Sequence, residues 1–259
     1  MMFKSMFLSF LVIFSLFTKS HASQILELKT RDAFALEDPY YQVKSMRVVQ
    51  ISEDEMSALY EPRSLIGNGP NAPVPPLPPI GGGMPGMGIG GVISIIDQLI
   101  AVGQKVITLV KQGTPVVTNN PMAAVSVLPR IDAKDPAVHD MGGWSIPKSI
   151  HYKVSFQNGF GSDVVTFVYS ITYQYNGSLD GQGKYLAGIR ASASNISISW
   201  GFDLDASSQL IQISNIGTKQ NVIAGATLEM SYTVKNWTRN LTTSKTYFVT
   251  GDGKLYPLD

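Results

Sequence analysis

Between Asp163 and Tyr175 the chain alternates without interruption. Val165, Phe167, Tyr169, Ile171, Tyr173 and Tyr175 take one set of positions; Val164, Thr166, Val168, Ser170, Thr172 and Gln174 take the other. Successive side chains of a strand point to opposite faces, so this period of two yields one bulky face and one smaller face. A helix would spread the same β-branched and aromatic residues evenly around its surface and bury none of them efficiently. The stretch is therefore a strand, and its bulky face needs a second layer to cover it.

The pattern recurs on both sides. Ile150, Tyr152, Val154 and Phe156 alternate with His151, Lys153 and Ser155, and Asn158-Gly159-Phe160-Gly161 is a tight-turn signal that joins the two strands as a hairpin. Ile196, Ile198, Trp200, Phe202 and Leu204 continue the alternation, as do Ala226, Leu228, Met230, Tyr232 and Val234. Weaker strands fall at 125–128, 185–191, 210–213 and 246–249. Turns are expected at Asn176-Gly177, at 180–183, at 215–217 and at 251–253. About eight strands over residues 114–259 predict a mainly β unit, an antiparallel β-sandwich of immunoglobulin-like or similar design. Roughly 140 residues bury about two thirds of their unfolded surface, enough for this unit to fold alone.

The residues ahead of it divide by composition. Residues 1–22 read as a signal peptide. Lys4 supplies the positive start, Met6 to Phe17 the apolar run, and Ser20-His21-Ala22 the small residues before a cut after Ala22. Twelve apolar residues fall short of the ~20 that span a bilayer. The expected destination is the periplasm, the outer surface or the medium. Residues 23–66 are a polar lead-in with one strand within 41–51 and a short helix over 53–60, announced by the capping-box spacing of Ser52 and Glu55. Residues 67–91 are a Pro/Gly-rich linker, with five prolines between Pro73 and Pro79.

Residues 92–112 predict one long amphipathic helix. Val92, Ile96, Leu99, Gly103, Val106 and Val110 recur at heptad spacing, with further apolar residues beside them and Asp97, Gln98, Gln104 and Lys105 on the opposite side. Gly113 and Pro115 would end it. The ionisable groups in its middle argue against a membrane span. The face carrying Val92, Ile96, Leu99, Val106 and Val110 is expected to dock on the β domain, to self-associate, or to lie at a membrane surface.

The composition removes several chemistries. Charged residues make up 15% of the chain and the net charge is +1, so no basic patch is available for nucleic acid. There is no cysteine, which excludes disulfides, thiolate metal sites and a cysteine nucleophile. Beyond the signal peptide the histidines are His139 and His151, and His151 is expected to face solvent or a sheet edge. No G-x-S-x-G elbow occurs, and residue order does not decide for or against a Ser-His-Asp arrangement. Asp132, Asp135 and Asp140, with His139 among them, offer carboxylate oxygens to a hard cation such as calcium, but their spacing is not that of an EF-hand and an ordinary solvated loop accounts for them. No cofactor is expected. Four N-x-[ST] sequons stand at Asn176, Asn195, Asn236 and Asn240.

The aromatic residues offer the remaining chemistry. Trp200 shares the core alternation of its strand, whereas Tyr173, Tyr175 and Trp237 are candidates for a recognition surface. The sequence thus predicts an exported, non-enzymatic binding or structural protein whose partner is a protein or a polysaccharide. Two alternatives are a membrane-active protein that inserts the 92–112 helix and a hydrolase of an envelope or extracellular substrate.

Overall fold

The computed structural model describes residues 38–60, 92–96, 98–116, 124–130, 138–237 and 239–258. The expected signal peptide, the linker over 67–91, and Asp132 and Asp135 lie outside these residues. The described chain is mainly β: two antiparallel sheets and one short helix. In order, the elements are β1 (Ser45–Ile51), α1 (Glu53–Tyr60), β2 (Val92–Ile96), β3 (Leu99–Val102), β4 (Val106–Lys111), β5 (Thr114–Pro115), β6 (Val125–Pro129) and β7 (Lys148–Gln157). There follow β8 (Asp163–Leu179), β9 (Gln182–Ile198), β10 (Phe202–Asn215), β11 (Ala224–Asn236), β12 (Asn240–Thr250) and β13 (Leu255–Pro257). Setting aside the two-residue β5, the described chain has twelve strands: about eight were expected over 114–259 and eight stand there as β6 to β13, and β1 to β4 join them from ahead of that range.

One sheet runs β1-β7-β8-β9-β6-β3-β2 and the other β13-β12-β11-β10-β4-β5. Their facing sides share a single core, and the packing is sandwich-like. The alternation read in the sequence holds where it was clearest. Phe167, Tyr169 and Ile171 of β8 are buried against Met230, Tyr232 and Val234 of β11 and Tyr247 of β12. Asn158 and the glycines beside it close the β7–β8 hairpin as expected. The Asn158 side chain accepts the Phe160 and Ser162 amides at 3.0 Å each, and Gly161 takes the left-handed φ the turn requires.

The long amphipathic helix is absent. Residues 92–111 form β2, β3 and β4, and they serve both sheets: β2 and β3 pair next to β6, while β4 pairs with β10. Two physical reasons defeat the heptad reading. Ten of these residues are β-branched (Val92, Ile93, Ile95, Ile96, Ile100, Val102, Val106, Ile107, Thr108 and Val110), and such side chains are crowded on a helix and relaxed on a pleated surface. Gly103, read as a heptad position, sits at φ +136 and turns the chain from one sheet toward the other. Gln112 and Gly113, both at positive φ, make the next turn. Of the predicted helix face, Leu99 and Val110 are fully buried, Ile96 packs against the core, Val106 is exposed, and Val92 pairs with Val102. Among the described residues no helix is long and apolar enough to cross a membrane.

The β unit also takes in residues well ahead of 114. β1 pairs with β7 along its whole length, from Ser45 opposite Gln157 to Ile51 opposite His151. The expected short helix follows as α1. Its capping box is closed: the Glu55 amide donates to Ser52 Oγ at 3.2 Å and the Ser52 amide to Glu55 Oε2 at 2.8 Å. Asn176-Gly177, expected as a turn, is a bulge inside β8. Asn176 takes φ +61, and Gly177 leaves room for the Trp144 indole pressed against it.

Candidate functional site

Strands of alternating direction put every second connection at the same end of the molecule. The β7–β8, β9–β10 and β11–β12 turns therefore share one end, and each carries a large aromatic side chain that the fold leaves in solvent. Phe160 is 67% exposed, Trp200 83% and Trp237 75%. Trp200 was expected in the core. β9 stops at Ile198, however, and the turn through Ser199-Trp200-Gly201, with Gly201 at φ +81, breaks the period of two. Alternation resumes only at Phe202, which is buried.

A short stretch ahead of β1 ties the three turns together. Asp38 accepts the Tyr40 amide on its side chain at 2.9 Å and the Tyr41 amide on its carbonyl at 3.0 Å, which folds 38–41 into a turn. Pro39 accepts the Gly159 amide at 2.8 Å, next to Phe160. The Tyr40 hydroxyl donates to the Trp200 carbonyl at 3.2 Å. Tyr41 lies over Gly201, where a Cβ would come within 2.8 Å of its ring, and its carbonyl accepts from Asn236 Nδ2 at 2.7 Å. Ring contacts complete the cluster. Tyr41 meets Trp237 at 5.5 Å in a perpendicular arrangement, and Tyr40 and Tyr41 both rest on Phe202. Asn236 Oδ1 also accepts the Arg239 amide at 2.7 Å and so holds the turn bearing Trp237. The result is an aromatic end of three exposed rings on a tied frame.

The polar groups at this end are mixed in sign. Lys44 and Arg239 stand against Asp38, Asp163 and Asp203, all exposed. Just inside the rim Asp205 pairs with Lys235. The hydrogen bond from the lysine is the main reason that the Asp205 carboxyl lies below the usual range, with the Gln112 amide adding to it.

The other sequence-predicted aromatics lie elsewhere. Tyr173 is fully buried. β8 runs on to Leu179, so Tyr173 is a mid-strand residue, and its hydroxyl donates to the Gly253 carbonyl at 3.1 Å. Tyr175 is half-buried against Tyr173 and Gly253, at the end opposite Trp237. The structure thus places Trp237 at the surface and Tyr173 in the core, and gathers at the end of Trp237 the Trp200 that sequence reading assigned to the core together with Phe160 and the 38–41 turn, which it passed over. One signal for two of them was legible, since an aromatic residue inside a glycine-bearing turn has no core to enter. The 38–41 turn carried no such mark.

Among the described residues, Ser170, His151 and Glu53 form a group of catalytic residue types. His151 was expected at solvent or a sheet edge. It is buried, because β1 makes β7 an internal strand and α1 brings Glu53 over it. Ser170 Oγ meets His151 Nδ1 at 2.6 Å and Glu53 Oε1 meets Nε2 at 3.0 Å. A neutral imidazole satisfies both, with Nδ1 accepting from the hydroxyl and Nε2–H donating to the carboxylate. The trio ties α1 to the sheet, and its serine, the would-be nucleophile, is itself buried. For metals, Asp140 is exposed, and among the described residues no three His, Cys, Asp or Glu side chains gather.

The four sequons are not equivalent. Asn176 Nδ2 donates to Ser145 Oγ at 3.0 Å, Asn236 is engaged with Tyr41, and Asn195 Nδ2 is buried. Asn240 is exposed. Comparison of the chain with protein-family models, with curated proteins and with solved structures gives no match.

Proposed function

We propose that this protein is an exported, non-enzymatic binding module that meets its partner with the aromatic end of its two-sheet body. One observation supports this most: three neighbouring turns each expose a large aromatic ring, and a fourth segment ties the turns to one another. Exposed rings of this size are costly in water, and they are over-represented at the centres of recognition surfaces. Export rests on the signal-like residues 1–22. The membrane-insertion alternative loses its premise, because its helix is three strands.

The test is co-sedimentation with insoluble cell-envelope material, wild type against the double variant Trp200→Ala/Trp237→Ala. Wild type is expected in the pellet and the variant in the supernatant. Equal sedimentation of the two would sink this reading.

A further inference from the structure

The aromatic end carries information about what it binds. We infer that its ligand is an uncharged glycan chain, stacked on the indoles of Trp200 and Trp237; this rests on the aromatic end being the binding surface. Three observations point that way.

The first is charge. Among the described residues the exposed charged groups at the rim are Lys44 and Arg239 against Asp38, Asp163 and Asp203, and just inside it Asp205 pairs with Lys235 beside the exposed Lys111. An anionic lipid surface or an acidic polymer attracts clustered Lys and Arg, and none cluster here. A ligand without net charge pays no electrostatic penalty at such a rim.

The second is how the turns that carry the rings are held. Aromatic residues that enter a lipid interface do so through a fluid medium, and nothing there requires fixed ring positions. Stacking a pyranose ring is different. The C–H bonds of one sugar face must meet the negative π-face of the indole squarely, the same electrostatics that shape aromatic pairs. Pre-set ring positions lower the ordering cost of binding. Here the backbone behind Trp200 is held by the Tyr40 hydroxyl, and that behind Trp237 by Asn236, while Tyr41 braces the indole at 83°.

The third is the neighbourhood of the rings. Asp203 follows Trp200 by three residues and Arg239 follows Trp237 by two, so each indole has an exposed charged side chain close by in the chain. Carboxylate and guanidinium groups pair with the vicinal hydroxyls of a sugar through charge-assisted hydrogen bonds. A face of C–H bonds edged by hydroxyls matches a ring edged by such groups.

The experiment uses the full chain and the tryptophans themselves as reporters. Neutral oligosaccharides of the β-1,4-glucan, α-1,4-glucan, xylan, mannan and N-acetylglucosamine types are titrated while tryptophan emission and its quenching by acrylamide are followed. Trp144 is half-buried at the far end, so a change at the ligand comes from Trp200 and Trp237. At least one glycan is expected to give a saturable blue shift and protection from quenching, equal at low and high salt. Trp200→Ala and Trp237→Ala, each shown folded by circular dichroism, are expected to weaken it by about tenfold or more. No response to any of the five glycan types overturns the inference. So does a response that the two variants retain. Parallel sedimentation with zwitterionic and anionic vesicles separates the two levels of the claim. Vesicle binding lost in the variants would keep the aromatic end as the binding surface and reject the glycan. Vesicle or envelope binding unchanged in the variants would reject the surface itself.

Discussion

Tyr152, Tyr169 and Tyr173 carry their phenols inside the core, and burial is the main reason each ionises above the ordinary tyrosine range, Tyr173 at about 12. Neighbouring phenols add to the effect, and Tyr169 shares a hydrogen bond with Tyr247. The unfolded chain ionises near pH 10, so it releases these protons first. Stability that is complete below pH 10 is therefore lost as pH rises toward 12. Tyr173 alone accounts for about 2 kcal/mol of that loss by pH 12. In an absorbance titration of phenolate, the buried tyrosines are expected to ionise late and together with unfolding. A simple titration of every tyrosine near pH 10 in folded protein would contradict the burial. Tyr152 offers a second test. Among the described residues its buried hydroxyl has no hydrogen-bond partner, and an unmet buried hydroxyl costs on the order of 1–3 kcal/mol. Tyr152→Phe is expected to leave stability unchanged or raise it by about 1 kcal/mol in urea unfolding. At this scale the sequence was legible where alternation was unbroken, as at Phe167 or Tyr232. It misled at Trp200 and Tyr173, because whether a residue sits inside a strand or at its end depends on where the partner strand stops.

The stretch from β2 to β4 shows how two periodicities can occupy one segment. Spacings of three and four satisfy a helix, but a run this rich in valine and isoleucine presents apolar residues at almost any period, so the pattern had little power to discriminate. Gly103 holds the deciding information. In a helix, Gly103→Ala would stabilise by roughly 1 kcal/mol. In this structure the residue sits at φ +136, and a Cβ there would overlap the carbonyl oxygen of Ala124. The same substitution is thus expected to destabilise by about 2 kcal/mol or more, read as a lower urea midpoint with an unchanged slope. The two readings differ in sign, which makes the measurement decisive. By contrast α1 was fully legible, since its start rests on Ser52 and Glu55, two residues close in the chain that cap each other.

Across the whole molecule, what sequence could show was the existence of two layers of strands, because that follows from local alternation. What it could not show was which distant segments meet. β1 completes one edge of the seven-stranded sheet, and the turn just before it gathers three turns from the other half of the chain, two of them hairpins and the third, β9–β10, a crossing between the sheets. Tyr41 is the centre of that gathering, touching Trp237, Phe202 and Gly201 and accepting from Asn236. Tyr41→Ala is expected to cost about 1–3 kcal/mol and to speed amide hydrogen exchange at 158–162, 199–201 and 237–239 together. Faster exchange confined to residues 38–41 would show that the turns stand without it.

The tie between Tyr41 and Asn236 spans 195 residues, and that between Tyr40 and Trp200 spans 160. Closing loops of this length is entropically expensive and is repaid only after the intervening strands have paired. During synthesis the first part of the β unit emerges well before its partners exist. The sheet interior and the hairpins therefore assemble first, and the 38–41 turn locks last. A chain still unfinished holds its three aromatic turns unfastened. That end is complete only once the final step of folding has brought its four segments together.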